Sequence, residues 1–107
     1  MLRLTLTAMA AVVSALPAAA GDPAMPRQEE LLYLLEQDCG SCHGLKRKGG
    51  LGPSLLPRDI ADKPDEGLVD AILQGRPGTP MAPWEFEISE DEAFWLVRQL
   101  RNGEAAK

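Results

Sequence analysis

Both cysteines and the single histidine of this 107-residue chain fall in five consecutive positions, Cys39-Gly40-Ser41-Cys42-His43. The C-x-x-C-H spacing is typical of covalent haem attachment, because two thiols one turn apart can bond the two vinyl groups on one edge of a haem. The histidine that follows can place its imidazole under the iron. The motif therefore predicts one haem c, anchored by Cys39 and Cys42, with His43 as an axial ligand.

Other sites also use closely spaced cysteines. A closed zinc site needs four ligands, and this chain has two cysteines and one histidine in total. A thioredoxin-like C-x-x-C follows a strand in a βαβ unit, and no strand pattern precedes Cys39. A haem-free dithiol protein stays open as an alternative at this point.

The first 20 residues have the pattern of a secretory signal peptide. A positive charge at Arg3 precedes an apolar run over 4–16, and three alanines over 18–20 offer small residues for a peptidase. The run is shorter than the roughly 20 residues of a membrane span, which argues against the alternative of an uncleaved anchor. We therefore expect a signal peptide over 1–20, a single domain over 21–107 and a periplasmic location.

Charge narrows the choice of partners. Without Arg3 the chain has 10 basic and 16 acidic residues, a net charge of −6, so we expect no nucleic-acid partner and no stable membrane association. Residues 44–58 are the exception, because they carry four basic residues and no acid. Redox partners meet in brief, charge-steered encounters that weaken with salt. We therefore predict a docking patch formed by Lys46, Arg47 and Lys48.

Hydrophobic periodicity predicts three helices and no strand. Pro26 suits the first turn of a helix that ends near Asp38, and a second helix fits residues 64–74. Ser89-Glu90-Asp91-Glu92 is a capping box that opens the last helix. The connecting segments are rich in glycine and proline, which predicts loops over 44–56 and 75–83. The pattern indicates an all-α fold.

The two loops supply the other candidates for a haem pocket. In the first loop, Pro53 can offer its carbonyl to the second nitrogen of the His43 imidazole, and Leu55 can cover a haem face. In the second loop, Met81 lies among prolines, which reduce the freedom that the loop loses on folding. We therefore predict Met81 as the sixth iron ligand. Met25, expected in a mobile tail, is the weaker alternative.

Taken with the final amphipathic helix, these features resemble the class I cytochromes c. The strings "QDCGSCHGLKRKGGLGPSL" and "ILQGRPGTPMAPW", with the "FWL" of the last helix, are similar to a narrower group. This group is the small monohaem cytochromes (NirC type) of denitrification gene clusters, found alongside the nitrite reductase that contains haem c and haem d1. The resemblance covers residues 27–102.

The resemblance implies a cytochrome c domain over 21–107, with its N- and C-terminal helices packed over one covalent haem. It implies thioether anchors at Cys39 and Cys42 and axial ligands at His43 and Met81, in an electron-transfer protein that is not an enzyme. It also implies redox partners, either a periplasmic nitrite reductase or a haem d1 maturation enzyme, and we expect a monomer. If Met81 does not reach the iron, the alternative is a five-coordinate haem protein that binds small gases or peroxide.

Overall fold

The computed structural model describes residues 5, 7–13 and 21–103. Within these ranges every regular element is helical, which confirms the predicted all-α fold. The elements are α1 (Met25–Leu34), a π-helical turn (Leu35–Cys39), α2 (Gly40–His43), α3 (Pro57–Ile60), α4 (Asp65–Gln74) and α5 (Glu90–Asn102). None of the described helices combines the length and apolar character needed to cross a membrane. The predicted signal peptide lies largely outside the described residues and stays a prediction.

The first helical run is longer than predicted, because it continues past Asp38 to His43 through the π-helical turn. In that turn the N–H of Gly40 donates to the carbonyl of Leu35, five residues back. The wider turn leaves Asp38 exposed and packs Cys39 against the core. π-helical turns within α-helices occur frequently at functional sites. Here the turn brings the first cysteine into line with the buried face of α1.

The core lies between α1, α4 and α5. It consists of Leu31, Leu34, Leu35, Ile60, Val69, Ile88, Ala93, Trp95, Leu96, Val97 and Leu100. Five of these residues belong to α5, so the last helix contributes the largest share. Burying each large apolar side chain stabilises the fold by about 1.5 to 3 kcal/mol. Short α3, which the sequence analysis did not predict, adds Ile60 to this core.

The ends of α5 follow the sequence signals. Ser89 Oγ accepts from the N–H of Glu92 at 3.2 Å, and the Glu92 carboxylate accepts from the N–H of Ser89 at 2.9 Å. The predicted capping box is therefore confirmed. Gly103 ends the helix in a left-handed conformation.

Arg27 joins the two ends of the fold. Its Nε donates to Glu92 at 2.5 Å, and an Nη2 bond of 2.7 Å reaches the carbonyl of Glu87 just before α5. Its Nη1 pairs with Glu30 on α1 itself at 2.9 Å. The Arg27 guanidinium lowers the pKa of Glu92 below its ordinary value. The N-terminal helix is thus bonded to the first turn of the C-terminal helix.

We expect Glu92→Gln to lower the free energy of unfolding at pH 7 by about 1 to 2 kcal/mol, because a partly buried, charge-assisted bond to Arg27 is lost. Glutamine preserves the capping box, so the charge is what changes. The folded pKa of Glu92 is depressed, so its contribution to stability is fully present above the unfolded pKa of about 4.3. The contribution fades as pH falls through the folded pKa. Urea unfolding at pH 7 and pH 3 measures the difference.

Glu30→Gln is the matched control, since Glu30 pairs with the same guanidinium but its side chain is 65% exposed. Its loss should change the free energy of unfolding by less than about 0.5 kcal/mol. A Glu92→Gln deficit that persisted unchanged at pH 3 would contradict the assignment to the ion pair.

Candidate haem-binding site

The two predicted haem anchors lie at the end of the helical run. Cys39 closes the π-helical turn and Cys42 lies in α2, and both thiols are free and half-buried. A separation of three residues places them on the same side of a helix. His43 is the last residue of α2. The three side chains of the motif are thus presented together by one rigid element.

The imidazole of His43 is fixed by the first loop. Its Nδ1 lies 2.7 Å from the carbonyl oxygen of Pro53, so the hydrogen bond that the sequence analysis predicted is present. Because a carbonyl only accepts, Nδ1 carries the proton and Nε2 is the nitrogen with a lone pair. An imidazole oriented in this way is typical of metal-ligating histidines.

The backbone of Gly52 lies close against the imidazole ring of His43. A Cβ at this position would lie 2.8 Å from Cε1 and 2.9 Å from Nδ1 of His43, so only glycine allows this close approach. The loop is also bonded to the motif, because the N–H of Gly52 donates to Cys42 O at 2.8 Å and that of Gly49 to His43 O at 2.9 Å. The glycine-rich composition of the loop is visible in the sequence, but no local signal distinguishes Gly52 from the other glycines.

Met81 lies in a loop that is bonded to α4. The N–H of Arg76 donates to Met81 O at 3.0 Å, and that of Trp84, beyond the methionine, donates to Ile72 O in the last turn of α4 at 3.0 Å. Gly75 allows the Met81 segment to lie this close to the end of α4, since a Cβ at residue 75 would lie 2.5 Å from Met81 O. The half-buried Met81 side chain therefore belongs to a fixed segment.

Three other predicted residues are placed as follows. Met25 is not in a tail, because it is the first residue of α1, where its side chain is 67% exposed. Leu55 packs against the core. The predicted docking patch is wrong at Arg47, whose side chain is only 4% exposed. Two lysines flank Arg47 in the sequence, and nothing in the pattern of charges distinguishes the buried position from the exposed ones.

The thiol chemistry disfavours a redox-active dithiol. Burial, reinforced by the neighbouring Asp38, raises the pKa of Cys39 to about 11. Reactive cysteines have the opposite shift, because the thiolate is the nucleophile. A protonated, half-buried Cys39 is therefore a poor nucleophile for dithiol redox chemistry.

The donor set fits a haem. Two thiols on one helix side can bond the vinyl groups of a haem, and an imidazole with a free Nε2 and a thioether on a fixed loop are the groups that ligate the iron in cytochromes c. Over 5, 7–13 and 21–103, no group of three or more His, Cys, Asp or Glu side chains is placed to hold a metal ion by itself.

Comparison with known proteins gives the family. The family described as cytochrome c oxidase, cbb3-type, subunit III matches residues 26–98, more than half of the chain. The chain belongs to the c-type cytochromes.

This cytochrome is similar to a curated protein and to a solved structure over most of its length. Cytochrome c55X of Pseudomonas aeruginosa is 56% identical over 84 residues, which are 78% of this cytochrome and 71% of the relative. The solved c-type cytochrome NirC is 54% identical with a TM-score of 0.77, covering 79% of this cytochrome and 100% of that chain. The predicted class I cytochrome c fold and the similarity to the NirC type are confirmed.

A second solved structure matches only in part. It is dihydro-heme d1 dehydrogenase NirN in complex with DHE, 38% identical with a TM-score of 0.60. The match covers 64% of this cytochrome but 15% of that chain. The cytochrome is thus similar to one segment of a much larger protein.

Proposed function

We propose that this cytochrome is a periplasmic carrier of single electrons, with one haem bonded to Cys39 and Cys42 and with His43 and Met81 as axial ligands. When bound, the haem supplies an iron that accepts and returns one electron. The observation that carries the proposal is the 2.7 Å bond from His43 Nδ1 to Pro53 O, because it fixes both the tautomer and the direction of Nε2. The protein's other tasks are to hold Met81 and to exclude water.

Met81 is proposed as the sixth ligand because its segment is fixed at both sides. Backbone bonds join Arg76 to Met81 and Trp84 to Ile72, so little further ordering is needed before the thioether can meet a metal. A thioether is a weak neutral ligand, and such a ligand benefits most from a site that is already ordered. Met25 has no comparable support, since its side chain is 67% exposed.

The partners that we propose come from denitrification. NirC and cytochrome c55X are names of relatives that match most of this cytochrome, which supports a role as electron donor to a nitrite reductase. The partial match to dihydro-heme d1 dehydrogenase supports the other role, in haem d1 maturation. A dehydrogenation releases two electrons and two protons from its substrate, so a one-electron carrier would accept the electrons in two separate encounters. No substrate chemistry takes place on the carrier itself.

Expression in a periplasm that contains haem maturation machinery tests the proposal. The intact mass should exceed that of the processed chain by one haem, and acid acetone should not extract the haem. The optical spectra should be low-spin in both redox states, and carbon monoxide should bind slowly. These results follow from two thioether bonds and from two axial ligands that leave no open position on the iron.

The double variant Cys39→Ala/Cys42→Ala is the control, and it should carry no covalent haem. An extractable haem in the wild type would refute attachment. Rapid binding of carbon monoxide by the wild type would instead support the five-coordinate alternative, in which the cytochrome binds small gases or peroxide.

A further inference from the structure

Arg47 is the buried cation among the described residues. Its side chain is 4% exposed, and its backbone is in the left-handed region, with φ at 57°. A residue other than glycine is uncommon in this conformation, and burying a charge is unfavourable unless it is paired. Two unfavourable features therefore coincide at one position, next to the haem-attachment motif.

The backbone of Arg47 is bonded both to the end of the haem-attachment motif and to the segment that follows Pro53. Its N–H donates at 2.9 Å to the carbonyl of Gly44, the residue directly after the motif, and its carbonyl accepts at 2.9 Å from the N–H of Leu55, two residues after Pro53. The same carbonyl accepts from Ser54 Oγ at 3.3 Å. The position of the side chain is thus fixed by the same loop that fixes His43.

The guanidinium of Arg47 is poorly compensated. Nη1 donates to the carbonyl of Leu45 at 3.1 Å, while Nε is buried with no hydrogen-bond partner in the described part of the chain. Glu36 is the carboxylate that interacts with its charge, and it forms no ion pair with Arg47 in that part of the chain. The charge is therefore only partly neutralised.

The other described arginines with low exposure differ in this respect. Arg27 bonds Glu92 at 2.5 Å, and Arg101 bonds Asp65 at 2.6 Å. Each of these pairs joins two helices, so its structural role is evident. Arg47 makes one bond to a carbonyl two residues away, which a neutral donor could equally provide.

We propose that Arg47 is a positioning residue for charge, a fixed cation in the loop bonded to the haem-attachment motif, and that it raises the midpoint potential of the bound haem. The inference deepens the proposed function and rests on haem attachment at Cys39. Ferric iron carries one more positive charge than ferrous iron, so a nearby cation favours the ferrous state. The effect is strong only if the cation is held away from water, as Arg47 is, because water would screen it.

The test is the midpoint potential of the holoprotein by redox titration. Arg47→Met keeps a long side chain at the same left-handed backbone position but removes the charge. It should shift the equilibrium toward the ferric state about three- to tenfold, which equals a fall of about 30 to 60 mV for one electron. Arg47→Lys, which retains the charge, should stay close to the wild type.

Lys48→Met is the matched control, because Lys48 is the exposed neighbour in the same loop. Its effect on the potential should be small and should vanish between 10 mM and 1 M salt, as expected for a screened surface charge. The shift of Arg47→Met should persist over the same range, because a buried charge is screened much less.

Three outcomes would overturn the inference. They are an unchanged potential in Arg47→Met, an equal fall in Arg47→Met and Arg47→Lys, and a shift in Arg47→Met that salt abolishes. If Arg47→Met does not accumulate as holoprotein, Arg47→Gln removes the same charge while keeping an amide donor for the carbonyl of Leu45. It should lower the potential, and an unchanged value would overturn the inference.

Failure of the inference is distinguishable from failure of the proposed function. A wild type with covalent haem and low-spin spectra leaves the electron-carrier proposal intact, whatever the potential of the Arg47 variants. A wild type without covalent haem removes the proposed function before any potential is compared.

Discussion

Met81→Ala should convert the cytochrome into a ligand-binding haem protein. The ferric form should lose the weak far-red sulfur-to-iron band and become high-spin, and carbon monoxide and cyanide should bind rapidly. The midpoint potential should fall by on the order of 100 mV, within the roughly 0.8 V that axial ligands span, because a thioether stabilises ferrous iron. The haem should stay attached, since Cys39 and Cys42 are unchanged. Optical spectra, redox titration and intact mass measure these effects.

Met25→Ala is the control for this prediction. Met25 is exposed at the start of α1, so its substitution should alter neither the spectra nor the potential. A spectral change in Met25→Ala together with an unaffected Met81→Ala would show that the axial ligand has been assigned to the wrong methionine.

Gly75→Ala should weaken the bond between the Met81 thioether and the iron, although Gly75 is not itself a ligand. The new Cβ would lie 2.5 Å from Met81 O and 2.8 Å from the amide nitrogen of Pro83, so the loop must move away from α4. Gly75 also has φ at 68°, which adds about 1 to 2 kcal/mol for a side chain. We expect a loss of about 3 kcal/mol or more in the free energy of unfolding. We also expect a high-spin fraction that binds carbon monoxide.

Gly78→Ala separates the effect of the steric contact at Gly75 from the effect of a positive φ. Gly78 lies in the same loop with φ at 81°, but nothing lies within 4 Å of a Cβ built on it. The substitution should therefore destabilise by only about 1 to 2 kcal/mol, and the low-spin spectrum should be retained. If Gly75→Ala also retained the wild-type spectrum, the contact between Gly75 and the Met81 segment would have no part in ligation.

Much of this fold could be predicted from local sequence signals. The capping box at Ser89 and the helix end at Gly75 are set by chemistry within a few residues, and both are confirmed. The bond between His43 and Pro53 could also be predicted, because a proline carbonyl ten residues away in a glycine-rich loop is an acceptor within reach.

What could not be predicted depends on packing. The π-helical turn has no composition of its own, since it arises where the buried face of α1 must meet Cys39. The burial of Arg47 depends on the loop folding back beneath the motif, which its backbone bonds to Gly44 and Leu55 reveal. Net charge over 44–58 predicted a basic surface, but it could not show which of the basic side chains faces inward.

The separation of the two proposed axial ligands has a further consequence. His43 ends the helical run that begins with α1, whereas Met81 belongs to a segment bonded to α4, and it lies 38 positions after His43. An iron bonded to both would close this stretch into a ring, as a disulfide would, and would limit the unfolded ensemble. For a ring of this size, loop-closure entropy corresponds to about 4 kcal/mol. A chain whose two cysteines are committed to haem would thus obtain its long-range covalent cross-link from coordination chemistry.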